Sequence, residues 1–178
     1  LASSKSQGKK LSFGDKVVEV QNLANFDFSK ADLALFSAGG NVSAEYAPIA
    51  AKHCVVVDNT SFFRMFDDVP LIVTEVNIDA ISSYKKRNIV SNPNCAVMEL
   101  LVALKPLHDA AQIKRIVVTT FQSVSGAGKS AMDELYKQTK GKFFNDLVEP
   151  SKFTKQIAFN AIPHIGDFNS NGDTAEEQ

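Results

Sequence analysis

Cys95 is the side chain in this sequence best suited to covalent chemistry. It closes the stretch Ser91-Asn92-Pro93-Asn94-Cys95, and an apolar run over residues 96–104, broken only by Glu99, follows at once. Pro93 keeps Asn92 out of helical backbone. Asn94 is a good helix N-cap, and the run is long enough for a mostly buried helix. Such a helix puts Cys95 in its first turn, where unpaired N–H groups and the helix dipole favour negative charge. That favours the thiolate, the nucleophilic form. Local physics equally allows a small buried apolar side chain, the usual state of a cysteine outside a disulfide.

Other residues have weaker claims. Arg64, in Asp58-Asn59-Thr60-Ser61-Phe62-Phe63-Arg64-Met65, offers a guanidinium fork for a carboxylate or phosphate, although most arginines are simply solvated. Gly39-Gly40 follows a strand pattern and would let a ligand approach the backbone. The segment Ser123-Val124-Ser125-Gly126-Ala127-Gly128-Lys129 joins a strand pattern to a helical one, an arrangement that cradles anions or cofactors. Its glycines and lysine are not spaced as in a Walker loop. Residues 2–10 are small, polar and basic, either a frayed terminus or an anion-binding loop. His164 is a lone histidine beside Pro163, with a structural role competing against that of general base. Cys54, at the start of an apolar strand pattern, reads as a silent core thiol.

The elements that must position these groups alternate in type. Strand patterns cover residues 17–20, 31–37 and 55–58, with a helical pattern over 43–52 between the last two. That is one βαβ unit, with strands expected to be buried on both faces and loops at the carboxyl edge where ligands bind. Residues 70–77 predict another short strand, 78–84 a helix, and 88–90 the strand leading to Cys95. Pro106 is expected to end or bend the cysteine helix. Residues 113–122 predict a long strand, 130–139 a helix, and 141–155 an irregular stretch. With 178 residues, 44% hydrophobic and 22% charged, the composition is that of an ordinary soluble globular chain. A net charge of −1 gives no argument for nucleic acid or an acidic membrane surface, and no apolar stretch is long enough to cross a bilayer. Two cysteines make no disulfide framework, and a reactive thiol suits a reducing cytoplasm.

Five segments in order carry a resemblance to aspartate-semialdehyde dehydrogenase: Leu35-Phe36-Ser37-Ala38-Gly39-Gly40, residues 58–65, Ser91 to Cys95, Phe121-Gln122-Ser123-Val124-Ser125-Gly126-Ala127-Gly128, and Phe159-Asn160-Ala161-Ile162-Pro163-His164-Ile165. The resemblance covers essentially the whole chain. It implies an α/β fold: a partial Rossmann-like NADP-binding domain over residues 1–94, then the start of an α+β catalytic and dimerisation domain over 95–178. The implied reaction interconverts 4-phospho-L-aspartate and NADPH with L-aspartate 4-semialdehyde, phosphate and NADP, on the route to lysine, methionine and threonine. Cys95 matches the family's nucleophile, Gln122 the glutamine that positions the substrate, and Arg64 the arginine that binds phosphate. Lys5 and Ser6, with Ser3 in the same loop, match residues that hold the NADP 2′-phosphate. Ser37, Ala38, Gly39, Gly40, Asn94, Ser125 and Gly126 fall in cofactor-contacting segments, and Glu176 matches a glutamate that contacts the substrate amino group. Homodimers or homotetramers in the cytoplasm are implied, with no metal.

Departures from the family pattern accompany these matches. The family's opening strand and Gly-rich turn would lie before Leu1. Its catalytic histidine and carboxylate-gripping arginine would lie beyond Gln178, and His164 does not match that histidine. A chain of this length alone is therefore expected to bind NADP weakly and turn nothing over. Ala96, Val97, Met98 and Glu99 stand where the family usually has Ser, Thr, Ile and Gln. A carboxylate at Glu99 works against a thiolate if both are charged and close. The rival readings are a sister acyl-phosphate reductase of the N-acetyl-glutamyl-phosphate type, a non-catalytic nucleotide-binding subunit, and a cysteine hydrolase, for which no partner histidine is well placed.

Overall fold

A computed structural model of the chain describes residues 1–164, 166 and 168–174. They fall into two units, Leu1–Ile116 and Val117–Gln178. The first opens with an antiparallel hairpin of β1 (Lys10–Phe13) and β2 (Lys16–Glu19). The second strand was expected from its valines. The first had no prediction: it begins at Lys10, the last residue of the polar 2–10 stretch, and with only Leu11 and Phe13 apolar it carries too short a pattern to stand out.

The centre of this unit is a parallel sheet of β3 (Leu33–Phe36), β4 (Val55–Asp58) and β5 (Ile89–Ser91), in that spatial order. Helix α1 (Gly40–Ala50) connects β3 to β4 as predicted. Ala34, Phe36, Val56 and Ile89 share the face that packs into the core with Ala47, Ala50 and Phe63. The other face departs from expectation. Leu33 and Leu35 are 54% and 76% exposed, and an open apolar groove runs over Leu33, Val55, Val57 and Met98. Strands with no polar face were expected to be covered twice, yet among the described residues no element closes over β3 on this side.

Residues 70–77 do not form the predicted strand. Only Leu71 bridges to Ser91, and α2 (Thr74–Asn77) begins three residues later. The Asn77 side chain explains the switch, since its Oδ1 accepts from Val73 N at 2.9 Å while its Nδ2 donates to Leu71 O at 2.9 Å. Those backbone groups are then lost to any ladder. The helix predicted over residues 78–84 is present as a 3-10 helix, Ile78–Lys86. After β5, α3 (Cys95–Ala111) runs straight past Pro106, which removes one N–H donor without ending the helix. The terminus comes at Gln112, left-handed at φ 49°.

Residues 113–122 carry a strand pattern without a strand. Ile116, Val117, Val118 and Phe121 are exposed, and no partner among the described residues supplies a ladder. In the second unit, α4 (Lys129–Phe144) extends five residues beyond the predicted end. Its inner face carries buried Glu134 and Gln138, which collect backbone N–H groups from residues 151–158. Gly141 lets the returning chain come close: a Cβ there would lie 2.5 Å from Asp146 O.

Candidate active site

The carboxyl ends of β3, β4 and β5 bring together residues far apart in sequence. The last rung of the sheet pairs Phe36 with Asp58 and Asp58 with Ser91. The segments that follow carry Ser37, Asn59 and Asn92, and their side chains form a chain of hydrogen bonds. Asn59 Nδ2 donates to Ser37 Oγ at 3.3 Å, and Asn92 Nδ2 donates to Asn59 Oδ1 at 2.7 Å. This lateral tie spans all three strands.

Arg64 joins the same network. Its Nε donates to Asn92 O at 3.0 Å and one terminal nitrogen donates to Asn59 O at 3.4 Å. The side chain is half-buried rather than a solvated surface arginine. The guanidinium is thus aimed by two backbone carbonyls of the loops it bridges, a geometry that suits its planar fork and not an ammonium.

Cys95 is the first residue of α3 and is exposed, which removes the buried-apolar alternative. Asn94 caps the helix as predicted, its Oδ1 accepting from Ala96 N at 2.8 Å. Cys54 is buried as expected, with Sγ 3.4 Å from Ala50 O, and burial followed by the nearby Asp32 charge pushes its thiol pKa up. Glu99 is exposed and lines the apolar groove.

The turn after β3 leads into α1 through Ala38 and Gly39. Gly39 adopts φ 97°, ψ 155°, a conformation essentially reserved for glycine, and nothing lies within 4 Å of where its Cβ would be. Gly40 has ordinary room, with Phe62 Cβ at 3.8 Å from its would-be Cβ. The N-terminal stretch is tied down rather than frayed. Ala2 N donates to Gln21 O at 3.0 Å, and Ser3 precedes a 3-10 turn, Ser4–Ser6, that contains Lys5. Leu1, Ser37, Ala38 and Val42 line a common cleft, so this segment and the glycine turn are neighbours. An anionic dinucleotide fits these residues: an open backbone cradle at Gly39, with an exposed lysine at position 5 on the segment beside it.

Gln122, Ser125 and Gly126 belong to the second unit. Gln122 is exposed, and Ser125 and Gly126 lie in the 3-10 turn Val124–Ala127, capped by the Ser123 hydroxyl. Glu176 lies outside the described residues. His164 has its Nε2 2.7 Å from Gly166 O and its ring stacked on Phe168 at 4.4 Å, a structural setting. Among the described residues no cluster of His, Cys, Asp or Glu is arranged to hold a metal, and no helix is long and apolar enough to cross a membrane.

Sequence reasoning passed over Asn59, Asn92 and the buried Asp58–Ser43–Thr60 group. A polar Asp-Asn-Thr run directly after an all-apolar strand was the signal available.

A parallel sheet with a glycine cradle and a cysteine-headed helix at its carboxyl edge defines a Rossmann-like α/β protein with an exposed cysteine at the rim of its sheet. Comparison with known families narrows this: residues 1–84 match the semialdehyde dehydrogenase NAD binding domain and residues 104–178 the semialdehyde dehydrogenase dimerisation domain, and the chain belongs to that family. It is 52% identical over 178 residues to aspartate-semialdehyde dehydrogenase of Rickettsia bellii, covering 99% of this chain and 53% of that protein. It is 54% identical to aspartate-semialdehyde dehydrogenase 2 of Vibrio cholerae, with the same coverage. The crystal structure of aspartate semialdehyde dehydrogenase II complexed with ASA from Vibrio cholerae superposes with a TM-score of 0.95 at 53% identity, over 98% of this chain and 52% of that one. The chain spans about half the length of the curated relatives it matches.

Proposed function

We propose that the polypeptide carrying this chain is an NADP-dependent aspartate-semialdehyde dehydrogenase. It interconverts 4-phospho-L-aspartate with L-aspartate 4-semialdehyde in the biosynthesis of lysine, methionine and threonine. The observation that carries the reading is Cys95, exposed at the head of α3 and three residues beyond the carbonyl that aims Arg64.

In the oxidative direction the Cys95 thiolate attacks the aldehyde carbon, a C–S bond forms, and a thiohemiacetal results. Its oxyanion is met by first-turn N–H groups of α3 other than that of Ala96, which the Asn94 cap holds. NADP, when bound, supplies the acceptor for the hydride that leaves this carbon. The resulting thioester is attacked by a phosphate oxygen, the C–S bond breaks, and the thiolate departs with the acyl phosphate as product. Arg64 binds the phosphate and Gln122 orients the carbonyl. Glu176 meets the substrate amino group. Lys5, Ser6 and Ser3 hold the 2′-phosphate of the dinucleotide, while Ser37, Ala38, Gly39, Gly40, Asn94, Ser125 and Gly126 line its path. The domains divide near Cys95, and the working form is a cytoplasmic homodimer or homotetramer.

The test is phosphate-dependent reduction of NADP by the polypeptide that carries this chain, with aspartate semialdehyde and N-acetylglutamate semialdehyde assayed side by side. Turnover of the first that disappears in C95S supports the reading. Preference for the second, or full activity in C95S, overturns it.

A further inference from the structure

Asp58 is fully buried, yet its hydrogen-bond partners are two hydroxyls and one N–H rather than a cation. Ser43 Oγ on α1 donates to Oδ1 at 2.8 Å, Thr60 N donates to Oδ1 at 3.1 Å, and Thr60 Oγ1 donates to Oδ2 at 2.9 Å. Thr60 Oγ1 in turn accepts from Phe62 N at 3.3 Å. A buried carboxyl is costly unless its oxygens are fully engaged, so these bonds fix the local backbone. That backbone is the one that delivers the site. Asn59, between Asp58 and Thr60, sends its side chain to Ser37 and Asn92 and its carbonyl to Arg64. Asn92 N donates to Asp58 O at 3.3 Å, and Asn92 O receives Arg64 Nε.

We infer that Asp58 and Thr60 are positioning residues: the buried Ser43–Asp58–Thr60 bonds hold the Asn59 turn in the one arrangement that aims Arg64 across the strand ends toward the Cys95 turn. The inference rests on the proposed role of Arg64 as the phosphate ligand. Neither Asp58 nor Thr60 touches the reacting atoms. Their effect on phosphate passes through Asn59 and Asn92 to the guanidinium.

The test uses the polypeptide that carries this chain. Binding of inorganic phosphate is measured by calorimetry, which needs no turnover, beside the KM for phosphate, kcat and the thermal midpoint. D58N replaces one acceptor oxygen by a donor facing donors, while T60V removes only a hydroxyl at constant shape. If D58N does not fold, T60V decides. Phosphate binding is expected to weaken about ten- to a hundredfold in both, with KM for phosphate rising more than kcat falls. T60S, which keeps the hydroxyl, is expected to restore binding. The double variant R64Q/T60V is expected to bind no worse than R64Q, because the two changes act on one path. Unchanged phosphate binding in folded T60V, or losses that simply add in the double variant, overturns the inference. Wild-type binding in R64Q overturns instead the reading of Arg64, and the two failures are told apart by that single variant.

Discussion

Arg64 Nε donates to the main-chain carbonyl of Asn92 at 3.0 Å, and Asn92 stands three residues before Cys95. The loop after β4 is thereby fastened to the turn that starts the cysteine helix. Lysine at this position keeps the charge but cannot hold Asn92 O and Asn59 O with one planar fork. R64K is expected to raise the KM for phosphate about tenfold, ~1.4 kcal/mol, while leaving the thermal midpoint near wild type. Steady-state kinetics with varied phosphate checks this, and an unchanged KM would remove Arg64 from the phosphate site.

The two cysteines are expected to separate cleanly toward iodoacetamide. Cys95 is exposed on the first turn of α3, whereas Cys54 is buried and its thiol is pushed up by burial and then by Asp32. Mass mapping after brief labelling of the native protein is expected to find Cys95 modified and Cys54 intact. Adding NADP is expected to slow the reaction at Cys95. Because the folded state holds the Cys54 proton more tightly than the unfolded chain does, its contribution to stability is present below the unfolded thiol value. It fades as pH rises toward the folded one. Labelling of Cys54 ahead of Cys95 would contradict the burial pattern on which this rests.

Much of the first unit was legible because local signals and packing agree there. The valine run of β4, the glycine turn, α1 and the Pro93–Asn94 start of α3 each follow from residue types whose neighbours do not compete. Where the reading failed, a longer-range condition decided. Asn77 captured the backbone of residues 71–73 and turned a strand pattern into a helix start. Among the described residues, 113–122 have strand character but no ladder, and β3 has an apolar face without cover. In the site, Cys95 and Arg64 stood out by chemistry. The Asn59–Asn92 tie and the buried Asp58 group did not, because pairing at strand ends depends on register.

Glu134 gives the second unit an acid-sensitive fastening. Burial alone would raise its pKa. The Ser151 hydroxyl and the backbone N–H groups of Lys152, Ser151 and Phe153 outweigh that and hold it below its ordinary value. With the folded value depressed, its contribution is present above the unfolded carboxyl pKa and is lost as pH falls through the folded one. E134Q is expected to destabilise by about 1–3 kcal/mol at neutral pH and to flatten the acid limb of stability below about pH 4. Urea titrations of wild type and variant at pH 7 and in mild acid measure both effects. An equally steep acid limb in E134Q would show that another group controls it.

Gly39 and Gly141 are glycines for different reasons, and their alanine variants are expected to fail differently. At Gly141 a Cβ would collide with Asp146 O, a main-chain atom that cannot swing aside. G141A is expected to cost about 1–3 kcal/mol of stability. At Gly39 the space is open but the backbone conformation is one that side chains resist, at about 1–3 kcal/mol. G39A is therefore expected to weaken NADP binding as the turn relaxes, with the larger part of its effect in the binding titration rather than the denaturation curve. Equal losses of stability with intact NADP binding would reduce Gly39 to a structural glycine.

Ser91 offers a prediction of opposite sign. It is fully buried at the end of β5, beside Asp58 in the register, and its Oγ has no hydrogen-bond partner among the described residues. A buried hydroxyl left unpaired carries a desolvation cost of about 1–3 kcal/mol, while trimming it to a methyl leaves only a small void. S91A is accordingly expected to match or exceed wild-type stability, unlike most core substitutions. S91T keeps the hydroxyl and adds a methyl in a packed site, so it is expected to destabilise by about 1–3 kcal/mol. Urea midpoints of the two variants at one pH suffice. A loss of more than about 1 kcal/mol in S91A would mean that the hydroxyl is hydrogen-bonded in solution, and Asp58, its neighbour on the adjacent strand, would be the first partner to test.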